Sequence, residues 1–186
     1  MVAGELEKYQ RFYSVELETK YFGEIRKRFL ENNVLSAFDF FCIVIWKSNR
    51  SKTKVAEGLM KKTGLPLEDV VKEITRKVFE AKTDKDKVRA LLVAGIGIPI
   101  ASAILSVLYP DNFTVYDYRA SDYNALKEFR GVVGKDDKAI QKYLDYVSAV
   151  RALSSNMTLR EIDRCLWGKS FYEQLKKDVE QNFRGI

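Results

Sequence analysis

Glycine and proline divide this chain into segments of helical length. The sequence has 3 prolines and 10 glycines in 186 residues, and between them apolar side chains recur at the three- and four-residue spacing of amphipathic helices. Gly64 follows one such pattern and Pro66 opens the next, which is the usual order of a helix end and a helix start. The pattern predicts an all-α chain with one domain over residues 1–186, folded as two packed helical lobes.

Residues that favour helix N-termini mark several of the predicted boundaries. Ser36 precedes a helix predicted from Ala37 to about Ser48. The other candidate caps are Thr83 or Asp84, Asp136 or Asp137, and the capping-box pattern Thr158–Glu161. Three further helices are predicted, the first of them from its amphipathic periodicity. These are a long helix from Glu5 to Glu31, a helix from Asp117 to near Gly131, and a last helix from Ser170 toward Phe183.

Composition excludes several kinds of chemistry. The chain has no histidine and only two cysteines, Cys42 and Cys165, both in apolar helical patterns. Histidine-based triads, imidazole acid–base catalysis and most zinc sites are therefore excluded, and a cysteine-held cluster would need more thiols. Acidic pairs at Asp136–Asp137 and Glu161–Asp163 are explained by helix starts, so we predict neither a metal nor a cofactor.

Charge and hydropathy indicate the kind of environment. The chain carries 32 basic and 26 acidic residues, a net charge of +6, which is compatible with a nucleic-acid partner. Its longest apolar stretch, Ala90 to Ala103, is interrupted by glycine and proline, so we expect no membrane span. The N-terminus lacks the basic start and apolar run of a signal peptide, and a cytoplasmic location is the resulting expectation.

The most specific local motif is Gly95-Ile96-Gly97 between two helical patterns. We predict a helix-hairpin-helix over about residues 85–109, in which both glycines allow a tight turn and Ala101 allows close packing of the helices. Amides exposed at the start of the second helix would then face a phosphate oxygen. Pro99 removes one such amide. The alternative is a tight corner between two helices that binds nothing.

The residues around this motif resemble the helix-hairpin-helix DNA glycosylases, a base-excision-repair superfamily. In that family a Gly-x-Gly hairpin is followed, one helix and one loop later, by an aspartate that heads the next helix. Gly95, Gly97 and Asp117 match this order at nearly the same spacing, and the apolar stretch Phe38–Asn49 is similar to an early family helix that ends in a polar loop. The resemblance covers about residues 36–126.

The resemblance implies a role for each matching residue. Asp117 would be the catalytic carboxylate, stabilising positive charge on the sugar or activating water. The target base would be flipped out of duplex DNA into a pocket. The implied DNA-binding residues are the backbone of Gly95, Ile96, Gly97 and Ile98, the gap-filling side chain of Asn49, and the basic side chains of Lys47, Arg50, Lys52 and Arg119. The candidate pocket walls are Phe41, Trp46, Tyr116 and Tyr118.

Departures from the family pattern narrow the implied activity. Pro99 stands in the hairpin region where bifunctional members carry a lysine, so strand cleavage by that lysine is not expected. The cysteines of the iron–sulfur members are absent, and Arg119 replaces a histidine found in many members. The expected activity is therefore that of a monofunctional glycosylase.

Alternative interpretations remain open for the same residues. Aspartate is a favoured helix cap, so capping alone could explain Asp117. Asn49 could be a turn residue, Arg119 could pair with a surface carboxylate, and the four aromatic side chains could belong to the core. The chain as a whole could be a non-catalytic DNA-binding module or an α-helical interaction protein. No oligomeric state is predicted.

Overall fold

The computed structural model describes residues 21–182. Most of the helix predicted from Glu5 therefore lies outside the described residues, as does Phe183. Nine α-helices occupy the described part, and it contains no strand. They are α1 (Gly23–Asn32), α2 (Ala37–Ser48), α3 (Lys52–Thr63), α4 (Leu67–Glu80), α5 (Asp84–Val93), α6 (Ile98–Leu108), α7 (Tyr118–Ser121), α8 (Asp137–Arg151) and α9 (Leu159–Lys177). Short 3-10 turns cover Asn49–Ser51 and Asn124–Phe129, and a π-helical turn covers Asp178–Asn182.

The predicted helix caps are confirmed where a side chain accepts a backbone hydrogen bond. Ser36, Thr83 and Asp136 each accept from the amide three residues later, and Thr158 and Glu161 form the complete capping box. Gly64 ends α3 with a φ of 72°. These signals work because they are local, each needing only three or four consecutive residues.

Two of the predicted helices differ from the helices that the structure contains. The segment after Asp117 forms only the four-residue α7 and then a 3-10 turn, instead of one helix to Gly131. Ser170 does not begin a helix, because α9 runs without interruption from Leu159 to Lys177. Gly168 lies buried inside α9, where its weak helix preference, about 1 kcal/mol relative to alanine, is outweighed by packing.

α6 forms the centre of the core. Every one of its residues except Pro99 is buried, and it contacts α1, α2 and α5. Such a helix, apolar all round, is stable only when other helices surround it. α8 and α9 pack against each other, and α9 also contacts α7. This arrangement brings the residues before α7 between the centre of the core and α9.

None of the helices in residues 21–182 combines the length and the hydropathy that a membrane span requires. Cys165 is buried as expected, while Cys42 is half-buried.

Candidate functional site

The connection between α5 and α6 is a tight turn at Gly95 and Ile96. The amide of Gly95 donates to the Leu92 carbonyl at 3.0 Å, and that of Ile96 to the Leu91 carbonyl at 3.2 Å. Gly95 has a φ of 106°, a backbone conformation that a residue with a Cβ rarely adopts. The side chain of Ile96 is buried beneath the turn. The turn therefore depends on glycine at position 95.

Gly97 has a different backbone conformation from Gly95. Its φ of −80° and ψ of 158° are extended, and it is the N-cap of α6. A Cβ built at Gly97 would come no closer than 3.8 Å to the Cδ of Pro99, an ordinary contact. The turn conformation therefore requires glycine at position 95 but not at position 97.

Two lysines from distant parts of the chain flank this turn. Lys135 Nζ donates to the Gly95 carbonyl at 3.0 Å, and Lys62 Nζ donates to the Val93 carbonyl. The amides of Gly97 and Ile98, which begin α6, make no hydrogen bond to another residue in the described part of the chain. Helix N-termini carry partial positive charge, so the start of α6 and the two ammonium groups place positive charge close to the turn.

Asp117 caps α7 and also binds a lysine. Its Oδ1 accepts the backbone amide of Arg119 at 2.9 Å, and its Oδ2 accepts a hydrogen bond from Lys47 Nζ. The Asp117 side chain is 20% exposed and that of Lys47 only 10%. The predicted capping role is thus present, but it uses only one carboxylate oxygen. The basic charge of Lys47, which we expected to attract DNA, is engaged by Asp117.

The backbone before Asp117 is fixed by buried hydroxyl groups. Tyr116 donates its amide to Ser102 Oγ of α6 at 2.9 Å. Its own hydroxyl donates to the Phe129 carbonyl at 2.7 Å and accepts the Val132 amide at 2.9 Å. Tyr116 is only 5% exposed, so the structure places it in the core, where it positions Asp117.

Two tyrosines of α8 hold the same segment from its other side. Tyr143 donates its hydroxyl to the Thr114 carbonyl at 2.8 Å, and Tyr146 donates to the Val115 carbonyl at 3.3 Å. Burial raises the pKa of both phenols well above the usual value, and the nearby Asp163 carboxylate adds to the effect. Both therefore remain protonated donors at neutral pH. Their role was not predictable from the sequence, because their helical spacing indicates only a core face.

Asp117 opens into a cavity of about 230 Å³, which we call the Asp117 cavity. Its lining combines the C-terminal end of α2, the segment between α6 and α7, and one face of α9. The lining residues are Trp46, Lys47, Val115, Asp117, Arg160, Asp163 and Trp167. Both tryptophans of the chain are therefore in this cavity. Sequence reasoning found Trp46, Lys47 and Asp117, but it missed the three α9 residues, whose i, i+3, i+7 spacing places them on one helix face.

The α9 side chains cover the aromatic rings of the cavity. The Arg160 guanidinium lies over the Trp46 ring, with its Cζ 4.7 Å from the centroid, and also contacts the Asp163 carboxylate. Phe171 stacks on Trp167 at 5.6 Å with an interplanar angle of 6°, and the Arg119 guanidinium lies 5.6 Å from the same ring. The cavity is consequently lined by flat groups and by charges of both signs.

The remaining predicted site residues lie elsewhere. Asn49 and Arg50 are exposed in the 3-10 turn after α2, and Lys52 donates to the Asn49 side chain at 2.8 Å. Phe41 is half-buried against the core, and Tyr118 is exposed beside Arg119. The structure does not bring Phe41, Tyr116 or Tyr118 into the lining of the Asp117 cavity.

No group of three or more cysteine, aspartate or glutamate side chains within residues 21–182 is arranged to hold a metal ion. Comparison of the chain with protein-family models, curated proteins and solved structures finds no match.

Proposed function

We propose that this protein is a DNA-binding base-excision-repair enzyme, a monofunctional DNA glycosylase that hydrolyses the N-glycosidic bond of a flipped base. The observation that carries the proposal is the position of Asp117. Asp117 lines a cavity with tryptophan walls, and the helix cap uses only one of its carboxylate oxygens. A residue that only capped α7 would not need Lys47 or a cavity beside it.

The proposed chemistry uses the carboxylate as a fixed negative charge. Breaking an N-glycosidic bond places positive charge on the sugar, and an anion held nearby stabilises that charge most where water is scarce. The same carboxylate can orient or deprotonate the attacking water. Lys47 supports this role because its hydrogen bond to Oδ2 fixes the orientation of the carboxylate.

The proposed DNA contact is the α5–turn–α6 unit, acting as a helix-hairpin-helix in a two-lobed, glycosylase-like fold. A phosphate would accept from the amides of Gly97 and Ile98, with Lys62 and Lys135 adding salt-dependent attraction. The hydrogen bond from the Tyr116 amide to Ser102 joins α6 directly to the segment that carries Asp117. Binding at the turn would therefore place the DNA backbone in a fixed position relative to the carboxylate.

The location of Asp117 supports base flipping as part of the proposed reaction. The carboxylate is only 20% exposed, so a base stacked within a duplex cannot bring its glycosidic bond to it. An extruded base would enter the Asp117 cavity, where tryptophan rings provide stacking surfaces. Asn49, Arg50 and Lys52 are exposed at the end of α2 and would contact the duplex left behind.

A second candidate function is a non-catalytic DNA-binding module. The observation that favours it is the engagement of the site by its own side chains, with Asp117 paired to Lys47 and the Trp46 ring covered by Arg160. An enzyme would have to displace Arg160 before a base could stack on that face. An α-helical interaction protein is the third possibility, and it predicts no DNA binding.

The test is release of a base from a panel of duplexes that carry uracil, hypoxanthine, 8-oxoguanine, alkylated purines or mismatches. Release from at least one duplex, with ordinary duplex DNA left intact, is the expected result. Tight, salt-sensitive binding without release from any duplex would instead favour the binding module. Absence of binding at low salt would overturn both DNA functions.

A further inference from the structure

Arg160 has an unusual environment for a helical arginine. It lies in the first turn of α9, its side chain is 17% exposed, and its flat guanidinium is stacked over Trp46. In the same position it contacts the carboxylate of Asp163, which is only 6% exposed. Both residues line the Asp117 cavity. A planar donor group thus lies between an aromatic ring and a buried acceptor.

The chemistry of a guanidinium group matches one edge of a particular base. A guanidinium carries N–H donors on one carbon within a single plane, and a carboxylate accepts two of them side by side. Guanine carries the same unit on its Watson–Crick edge, where N1–H and the 2-amino group flank C2. Adenine has an acceptor nitrogen at the corresponding ring position, which a carboxylate repels.

We propose that Arg160 holds the place of a guanine-type base, which stacks on Trp46 and donates N1–H and its 2-amino group to Asp163. This inference rests on the proposed function, since it names the class of base that the Asp117 cavity takes. Flipped bases are read by stacking and by hydrogen bonds to the Watson–Crick edge, and Trp46 and Asp163 supply these two contacts. Arg160 is displaced when the base enters.

The charges of the cavity support this class of ligand. An ionised carboxylate accepts hydrogen bonds but cannot donate them, so Asp163 selects for an edge with donors. Lys47 and Asp117 line the same cavity, so a base on Trp46 would bring its sugar toward the carboxylate that the proposed reaction uses. Recognition and chemistry are thus assigned to different aspartates.

The experiment titrates the protein with deoxyguanosine, deoxyinosine or deoxyadenosine and follows tryptophan fluorescence. Both tryptophans of the chain line the cavity, so ligand stacking changes the emission directly. In Arg160→Ala, which uncovers the ring, we expect deoxyguanosine to bind about 5- to 150-fold more tightly than deoxyadenosine, the range over which a bidentate contact discriminates between bases. Deoxyinosine, which keeps N1–H but lacks the 2-amino group, should bind with intermediate affinity.

Three further proteins complete the test. The wild type should bind deoxyguanosine more weakly than Arg160→Ala does, because its own arginine competes. In Arg160→Ala/Asp163→Asn the preference for deoxyguanosine over deoxyadenosine should disappear. Arg130→Ala, which breaks an exposed arginine–aspartate pair with Asp122, is the matched control and should behave like the wild type.

Equal affinity of Arg160→Ala for deoxyguanosine and deoxyadenosine, or no binding of either, would overturn the inference. If circular dichroism shows that Arg160→Ala does not fold, Arg160→Lys decides instead. Lysine can pair with Asp163 as a point charge but has no plane to cover the ring, so this variant should also bind deoxyguanosine more tightly than the wild type. The nucleoside titration measures binding and no cleavage. It can therefore fail while the base-release assay of the proposed function succeeds, and the reverse also holds.

Discussion

At the scale of single residues, the contact between Lys47 and Asp117 is the most informative feature of the structure. The two residues lie 70 positions apart, and neither side chain is more than 20% exposed. Two partly buried charges stabilise each other only when they are held together. Because the other oxygen of Asp117 accepts the Arg119 amide, Lys47 and the helix cap together fix the orientation of the carboxylate.

This geometry predicts different effects for two neighbouring lysines. Lys47→Met should lower the single-turnover rate of base release by about 10²-fold, because a misplaced carboxylate aligns poorly with the sugar. Its DNA affinity should fall about as much as for the loss of any one positive charge near the DNA, because Asp117 is then left without its cation. Rates and band-shift midpoints measured on one duplex check both statements.

Lys52→Met is the matched control for that substitution. Lys52 is exposed and its ammonium contacts only the neutral side chain of Asn49 among the hydrogen bonds of the described residues. Its removal should weaken DNA binding and reduce the slope of log affinity against log salt by about 1, with little effect on the rate for bound DNA. An unchanged rate in Lys47→Met, or an equal loss of rate in Lys52→Met, would argue against the assigned roles.

At the scale of elements, the turn between α5 and α6 distinguishes its two glycines. Gly95→Ala should lower the free energy of unfolding by about 1–3 kcal/mol, because a non-glycine residue is strained at positive φ. Gly97→Ala should have a much smaller effect, since Gly97 is extended and a methyl group fits. Urea denaturation of both variants gives the comparison. Equal destabilisation would show that the turn conformation is not the one described.

The capping box that begins α9 makes stability depend on pH. Hydrogen bonds from the Thr158 amide and hydroxyl hold the pKa of Glu161 below its usual value. A carboxyl group whose pKa is lowered in the folded state stabilises the fold at pH values above its unfolded-state pKa, about 4.3 for glutamate. This contribution is lost as the pH falls through the folded-state pKa.

Glu161→Gln should therefore flatten the acid side of a plot of unfolding free energy against pH, measured from about pH 3 to pH 6 around the reference carboxyl pKa. Glu57→Gln, at an exposed position on α3, is the control and should leave the slope near that of the wild type. An unchanged slope in Glu161→Gln would mean that the capping box does not persist in solution. Because α9 carries Arg160, Asp163 and Trp167, this cap also bears on the Asp117 cavity.

The elements also show how far sequence reasoning reaches. Caps such as Ser36, Thr83 and Asp136 are predictable because a short side chain bonds an amide three residues away. The interruption expected before Ser170 is absent because packing around Gly168 outweighs a local preference. The contribution of α9 to the Asp117 cavity could not be predicted, since periodicity shows which residues share a face but not what that face meets.

At the scale of the whole molecule, the basic excess is modest and its placement matters more than its size. The chain has 32 basic and 26 acidic residues, and many of its lysines and arginines are paired on their own helices, as in the Lys72–Glu68 and Lys77–Glu73 pairs. Lys62 and Lys135 instead donate to backbone carbonyls at the Gly95 turn. They therefore remain available to attract phosphate.

Duplex binding should accordingly weaken as salt rises. The double variant Lys62→Ala/Lys135→Ala should reduce the salt slope by about 2, because each lysine is expected to neutralise one phosphate. Lys72→Ala/Lys77→Ala removes the same charge from α4 and serves as the control. An equal reduction in both double variants would indicate diffuse attraction by net charge, without a defined binding surface at the turn.

We propose that Asp117 performs the chemistry of base release and that other residues bind the DNA. The most direct measurement is single-turnover base release by the wild type, Asp117→Asn and Asp122→Asn on the same lesion duplex, with DNA affinity measured in parallel. We predict that Asp117→Asn loses at least about 10²-fold in rate and keeps its affinity. Asp122→Asn, which alters a carboxylate outside the Asp117 cavity, should retain both. Release by Asp117→Asn at the wild-type rate would show that Asp117 does not perform the chemistry.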